Sequence, residues 1–216
     1  KIKGSEIENA HYRLSLDAGT LTLHDKRSGR RIPSFFTFED CADAGDSYDF
    51  SPLAGDAPTR CSHFTLVDGV KTPLVEKLTV EATMRLPQDL ASRQDTARTP
   101  LSIRLVCELR HDDPNLYVEA SLENSHCDHR LRLLIGSDVH TRHAIASQPF
   151  AIIQRETGYD GEHWQERYRE KPVDIETSEG IIAIAQAGKA LVVNSRGMKE
   201  FQVIGRDPAV IALTLF

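Results

Sequence analysis

An apolar period of two constrains this chain more than any other feature. Leu78, Val80, Ala82, Met84 and Leu86 alternate with Thr79, Glu81, Thr83 and Arg85. Leu101, Ile103, Leu105, Cys107 and Leu109 repeat the pattern. Side chains of a strand point alternately to its two faces, so such runs make strands with one apolar and one polar face. Turn residues separate them. Tyr12, Leu14 and Leu16 lead through Asp17-Ala18-Gly19 to Leu21 and Leu23, and Lys26-Arg27-Ser28-Gly29 turns the chain again. His111-Asp112-Asp113-Pro114-Asn115 is a turn before Leu116, Val118, Ala120 and Leu122. These are hairpin signals.

The last third differs. Ile181 to Ala185 and Ala190 to Val193 are near-continuous apolar runs around Gly188, expected as strands buried on both faces. Phe201 with Val203, and then Val210 to Phe216, add two more strands. Arg130-Leu131-Arg132-Leu133-Leu134-Ile135 predicts a strand with two outward arginines. Only the short polar stretch Gln88–Thr96 and the charged stretch Glu162–Lys171, which ends at Pro172, fit helical turns. About a dozen short strands at 8–12-residue spacing predict an all-β, antiparallel β-sandwich. No Ser/Gly-rich linker divides the chain, so one domain over residues 1–216 is expected.

Composition narrows the partners. The chain has 216 residues, a net charge of −6, 40% hydrophobic and 27% charged residues. A chain of this size buries about 70% of its unfolded surface and needs no staples. The acidic balance argues against nucleic acid and anionic membranes, and no apolar run approaches the ~20 residues of a membrane span. Four cysteines, Cys41, Cys61, Cys107 and Cys127, form no C-x-x-C pair. They are read as reduced thiols of a cytoplasmic protein in preference to two disulfides. The chain begins at Lys1 and stops inside an apolar run, from which a piece of a longer protein is expected.

The densest polar feature is Asp40 to Pro52, with Asp40, Asp43, Asp46, Asp49, Gly45 and Tyr48 between two strand regions. Carboxylates accept sugar hydroxyls and a tyrosine offers an apolar ring with a polar tip, which suits sugar recognition; composition alone favours a solvated acidic loop. His126-Cys127-Asp128-His129 contains zinc-ligand types, but neighbouring residues point apart. A His126/Asp128 pair on one strand face supplies two ligands and no third is evident, so a polar turn is the simpler reading. Asp138, His140 and His143 raise the same question. Trp164, the single tryptophan, reads as core or interdomain contact before sugar platform. Nucleophile elbows, phosphate-binding loops and dinucleotide fingerprints are absent.

These segments together resemble the C-terminal β-sandwich region of glycoside hydrolase family 38, the α-mannosidases, and look closest to the bacterial mannosylglycerate-hydrolase-like branch. Ile7-Glu8-Asn9-Ala10-His11-Tyr12-Arg13-Leu14 resembles that region's first strand, and Gly19 to Gly29 its hairpin. Phe38-Glu39-Asp40 with Gly45-Asp46-Ser47-Tyr48-Asp49-Phe50-Ser51-Pro52 resembles its G-D-x-Y-[DN]-[YF]-S-P segment. Leu122-Glu123-Asn124 with Asp128-His129-Arg130-Leu131-Arg132 resembles its D-H-R-L-R stretch. Trp164-Gln165-Glu166, Lys171-Pro172-Val173 and Arg196 to Val203 complete the series in order.

The resemblance implies a galactose-mutarotase-like supersandwich and a parent that is a retaining, zinc-dependent α-mannosidase of mannose metabolism. The nucleophile, the acid/base carboxylate and most zinc ligands would lie in an N-terminal catalytic domain of the same chain, and no catalytic residue or metal ligand is assigned within these 216 residues. The piece would complete the sugar subsite through Tyr48, whose hydroxyl would hold the mannoside, with Asp46 and Asp49 beside it. Two alternatives stand: an independent carbohydrate-binding module using the Asp40–Pro52 loop and Trp164, or a purely structural brace. A brace would show an apolar surface patch of several hundred Å². Linkage, aglycone and oligomeric state, a homo-oligomer included, are open at this level.

Overall fold

The computed structural model describes residues 4–46, 50–158, 166, 169 and 174–216. Its strands are antiparallel throughout the pairings described, and a 3₁₀ turn lies at Ala91–Gln94. The fold is all-β. Among the described residues, no helix is long and apolar enough to cross a membrane. The chain divides into two compact units, residues 1–131 and 132–216.

The first unit opens with a four-stranded sheet: β1 (Glu6–Glu8), β2 (Tyr12–Asp17), β3 (Thr20–Asp25) and β4 (Arg30–Ile32), side by side in chain order. A two-residue loop, Ala18-Gly19, joins β2 to β3, with Asp17 opposite Thr20. Both loop residues have positive φ, 48° and 83°, which is the geometry that matches strand twist in tight hairpins. Gly19 also sits against the ring of His63, where a Cβ would come within 2.1 Å. Its carbonyl accepts the Phe64 N–H at 2.7 Å, pinning the hairpin to the next segment.

After β5 (Phe36–Ala42) and β6 (Thr59–Cys61) comes the second sheet: β7 (Thr65–Lys71), β8 (Val75–Leu86), β9 (Thr99–Arg110) and β10 (Leu116–Leu122). Its spatial order is β10-β9-β8-β7. β8 and β9 pair along their whole length, from Val75↔Arg110 to Leu86↔Thr99. The alternation is realised here: Leu78, Val80, Ala82, Ile103, Leu105 and Cys107 are fully buried. Burial in this apolar wall pushes the Cys107 thiol up to about 12, which makes it an inert hydrophobe.

The second unit holds the end of β11 (His129–Ile135), then β12 (His143–Gln148), β13 (Ala151–Glu156), β14 (Ile175–Thr177), β15 (Ile181–Gln186), β16 (Lys189–Asn194), β17 (Glu200–Ile204) and β18 (Val210–Thr214). β14, β17, β18 and β11 lie in that order in one sheet, and β13-β12-β15-β16 form another. Phe201, Val203, Ile211, Leu213, Ile182 and Ile184 make its core.

Two expectations are corrected. Arg130 and Arg132 do not point outward: every residue of β11 is buried, and these two are 4% and 7% exposed. A cation survives burial only with partners, and Arg132 Nη1 donates to Gln202 Oε1 at 2.5 Å. Conversely, β15 and β16 are not buried on both faces. Ile181 is 43% and Val192 62% exposed. The Gln88–Thr96 stretch contains the 3₁₀ turn, whereas Glu162–Lys171 falls almost wholly outside the described residues.

Candidate functional site

The G-D-x-Y segment is a loop with a closed neck. β5 ends at Ala42, and Asp43 bridges to Pro52 across the base. The Asp43 carboxylate accepts the N–H groups of Gly45 at 2.9 Å and Ser51 at 3.0 Å. The Ala44 N–H donates to the Ser51 carbonyl at 2.7 Å. An aspartate that bonds the backbone two residues on is the usual way to turn a chain sharply. Asp46 is exposed beyond this neck; Tyr48 and Asp49 lie outside the described residues. At the far side of the loop, Phe50 lies under the Arg130 guanidinium, 4.4 Å from ring centroid to carbon. That stacking gives the buried arginine an attractive π face.

Beneath the loop is a buried ionic floor. Asp40 is fully buried, which corrects its reading as part of a solvated acidic loop. It stands in the core register of β5, after Phe36 and Phe38, and the burial is sustained by an imidazole and a guanidinium. Asp40 Oδ1 faces His129 Nδ1 at 2.6 Å, and Asp40 Oδ2 faces Arg93 Nη1 at 3.0 Å. Arg93 Nη1 also lies 3.5 Å from Asp56 Oδ2, which in turn accepts the Ala42 N–H at 2.8 Å. Next along β5, the fully buried Glu39 takes the Nε–H of its cross-strand partner Arg60 at 2.7 Å.

Local sequence explains how these groups arrive. Arg93 is delivered by the 3₁₀ turn, which Asp89 and Ser92 start with reciprocal bonds: Ser92 N–H to Asp89 Oδ1 at 2.8 Å and Asp89 N–H to Ser92 Oγ at 2.9 Å. The first of these bonds holds the Asp89 carboxyl below the usual range. His129 is aimed by Asn124. The Asn124 Oδ1 accepts the His126 N–H at 3.0 Å, so it is an acceptor also toward His129 Nε2 at 3.1 Å. Both imidazole nitrogens are therefore engaged within the protein.

The other histidine positions do not converge. Asp128 has a positive φ of 52°, so His126 and Asp128 are not on one strand face; His126 is buried, with Nε2 2.7 Å from Thr99 Oγ1, and Asp128 is exposed. Asp138 takes an ion pair from Lys189 at 3.2 Å, His140 pairs with Asp207, and His143 is exposed on β12. Among the described residues, no group of three or more His, Cys, Asp or Glu is placed to hold a metal. Trp164 lies outside the described residues. The floor residues Arg93 and Asp56 escaped the sequence reading. The one available signal was the period-two register Phe36-Phe38-Asp40-Ala42, which puts Asp40 inside.

What this arrangement does chemically is hold. Its charged groups are spent on one another under the loop, and the acidic side chains that reach solvent at the loop come from the loop itself.

Against known proteins, the model of the glycosyl hydrolases family 38 C-terminal domain matches residues 7–216. The comparison with curated proteins found no match. Among solved structures, the crystal structure of an α-mannosidase from Enterococcus faecalis V583 superposes on the whole chain with a TM-score of 0.86 at 21% identity. A glycosyl hydrolase family 38 protein from Enterococcus faecalis superposes with a TM-score of 0.84 at 20% identity, again over 100% of this chain. The chain spans 26% of the length of each of these structures.

Proposed function

Because the chain belongs to the glycosyl hydrolases family 38 C-terminal domains, we propose that it is the β-domain of an α-mannosidase and completes the sugar subsite of that enzyme. The family match over nearly the whole chain carries this reading. The fold it shares with an α-mannosidase of which it covers 26% supports a longer parent.

In this reading Tyr48 donates its hydroxyl to a mannose hydroxyl, with Asp46 and Asp49 as neighbouring acceptors. The closed neck at Asp43–Pro52 and the ionic floor below give that loop a fixed base, and a fixed base is what turns a loop hydrogen bond into usable binding energy. The carboxylates that cleave the glycosidic bond belong to the preceding part of the parent. In a retaining enzyme one of them attacks the anomeric carbon and the other first protonates the leaving oxygen, then activates water. Zinc does not fit the described residues: they offer no cluster of ligands, and both ring nitrogens of His129 are occupied. A zinc-dependent parent would hold its ion elsewhere.

The full-length chain tests this. It should release nitrophenol from p-nitrophenyl α-D-mannopyranoside, with α-mannose as the first product by NMR. Absence of turnover on any α-mannoside, mannobiose and mannosylglycerate included, refutes the reading. Tyr48→Phe should lower kcat/KM about 2- to 10-fold, the worth of one net hydrogen bond; an unchanged value removes Tyr48 from the subsite.

A further inference from the structure

The two legs of the G-D-x-Y loop are both tied to the start of β11, and by different means. The outgoing leg is held through backbone: the Asp43 N–H donates to the Asp128 carbonyl at 3.0 Å. Asp128 has the left-handed φ of 52°, a conformation that an aspartate adopts more readily than most side chains. The returning leg is held through a side chain, the Phe50 ring lying 4.4 Å from the guanidinium carbon of Arg130. Two residues of one segment, Asp128 and Arg130, thus take one leg each.

Position along the chain gives the second contact its weight. On the returning leg the bonds of the neck reach Pro52 and Ser51: Asp43 bridges to Pro52, and Ser51 bonds the Asp43 carboxylate and the Ala44 N–H. Phe50 is the next residue toward Tyr48 and stands two positions from it. Its anchor is also a firm one. Arg130 is 4% exposed, on a strand whose residues are all buried. A desolvated cation gains more from an aromatic face than an exposed one does. An aliphatic side chain of similar size would fill the space and offer no negative face. Phe50 is itself only half-buried, so the core does not require an aromatic ring there.

We propose that Phe50 is a positioning residue of the sugar subsite: stacked on Arg130, it sets the course of the returning leg and through it the place of Tyr48. This rests on the reading above that Tyr48 holds the mannoside. Phe50 acts through Tyr48 and makes no sugar contact of its own.

The test uses the full-length chain and p-nitrophenyl α-D-mannopyranoside. Phe50→Leu should lower kcat/KM about 2- to 10-fold, no more than the loss of the Tyr48 hydroxyl itself. The loss should fall on KM, as for a binding contact, with kcat kept. Phe50→Tyr, which retains the π face, should keep the wild-type value. In the Tyr48→Phe chain, Phe50→Leu should cost nothing further, because the group it acts through is gone. An unchanged Phe50→Leu overturns the proposal, as does an additive double variant or an equal loss in Phe50→Tyr. So does a fall in kcat at constant KM, the mark of a smaller folded fraction. Amide hydrogen exchange separates this proposal from the functional reading, since it needs no turnover. Phe50→Leu should speed exchange at Ala44, Gly45 and Ser51 several-fold, and Phe50→Tyr should not. A chain whose exchange responds in this way but which hydrolyses no mannoside keeps the anchor and loses the function. One that hydrolyses mannoside with unresponsive exchange keeps the function and loses the anchor.

Discussion

Single residues in this chain are tuned by their neighbours in ways that can be measured. Glu8 Oε2 receives Lys26 and Arg13, each at 2.9 Å. The Lys26 bond and then the Arg13 bond draw its carboxyl down from 4.5 to about 2. A depressed acid stabilises the fold above its unfolded value and ceases to do so as pH falls toward its folded one. The side chains are about a third exposed, so solvent screening limits the gain to about 1 kcal/mol. Glu8→Gln should therefore melt below the wild type at pH 7, with the gap closing between pH 4.5 and about 2. A gap that persists at pH 2 contradicts this. Gly19 makes the opposite kind of demand. Its φ of 83° and the His63 ring leave no room for a Cβ. Gly19→Ala should cost more than the about 1–2 kcal/mol of left-handed backbone alone, read from urea denaturation.

At the level of strands and turns, the ionic floor joins three elements far apart in sequence: β5, the 3₁₀ turn and β11. Removing the Asp40 carboxylate leaves the Arg93 guanidinium buried without its counter-charge, and breaking a buried pair typically costs about 3–5 kcal/mol. Asp40→Asn should be destabilising by that order in chemical denaturation, and Arg93→Met in the same chain should recover part of the loss. Strict additivity of the two would show that they do not interact. The floor also marks the limit of what the sequence discloses. β8, β9 and the β2–β3 hairpin were legible because period two and turn residues are local signals. The inward Asp40 was legible in principle from its register after Phe36 and Phe38. Its partner His129 was not, since 89 residues separate them and no spacing rule links them. β11 was placed correctly but its arginines were misjudged, because charge normally marks the wet face and here Gln202 and Phe50 receive them inside. β15 and β16 failed in the other direction: an apolar run says that a face avoids water, not that the same chain covers it.

For the molecule as a whole, that last mismatch bears on portability. A carbohydrate-binding module travels between hosts because its surface is wettable everywhere outside its ligand groove. A domain with Ile152, Ile181, Val192 and Phe150 in the open carries a solubility liability when it stands alone. Produced alone, residues 1–216 should bind the hydrophobic dye ANS and self-associate with rising concentration. Ile152→Lys with Val192→Lys should abolish both while leaving the far-ultraviolet spectrum unchanged. Wild-type residues 1–216 that stay monomeric and dye-free would contradict this. In the proposed reading the domain is an organ and not a tool: moved away from the enzyme it would complete, it should lose solubility before it lost its fold.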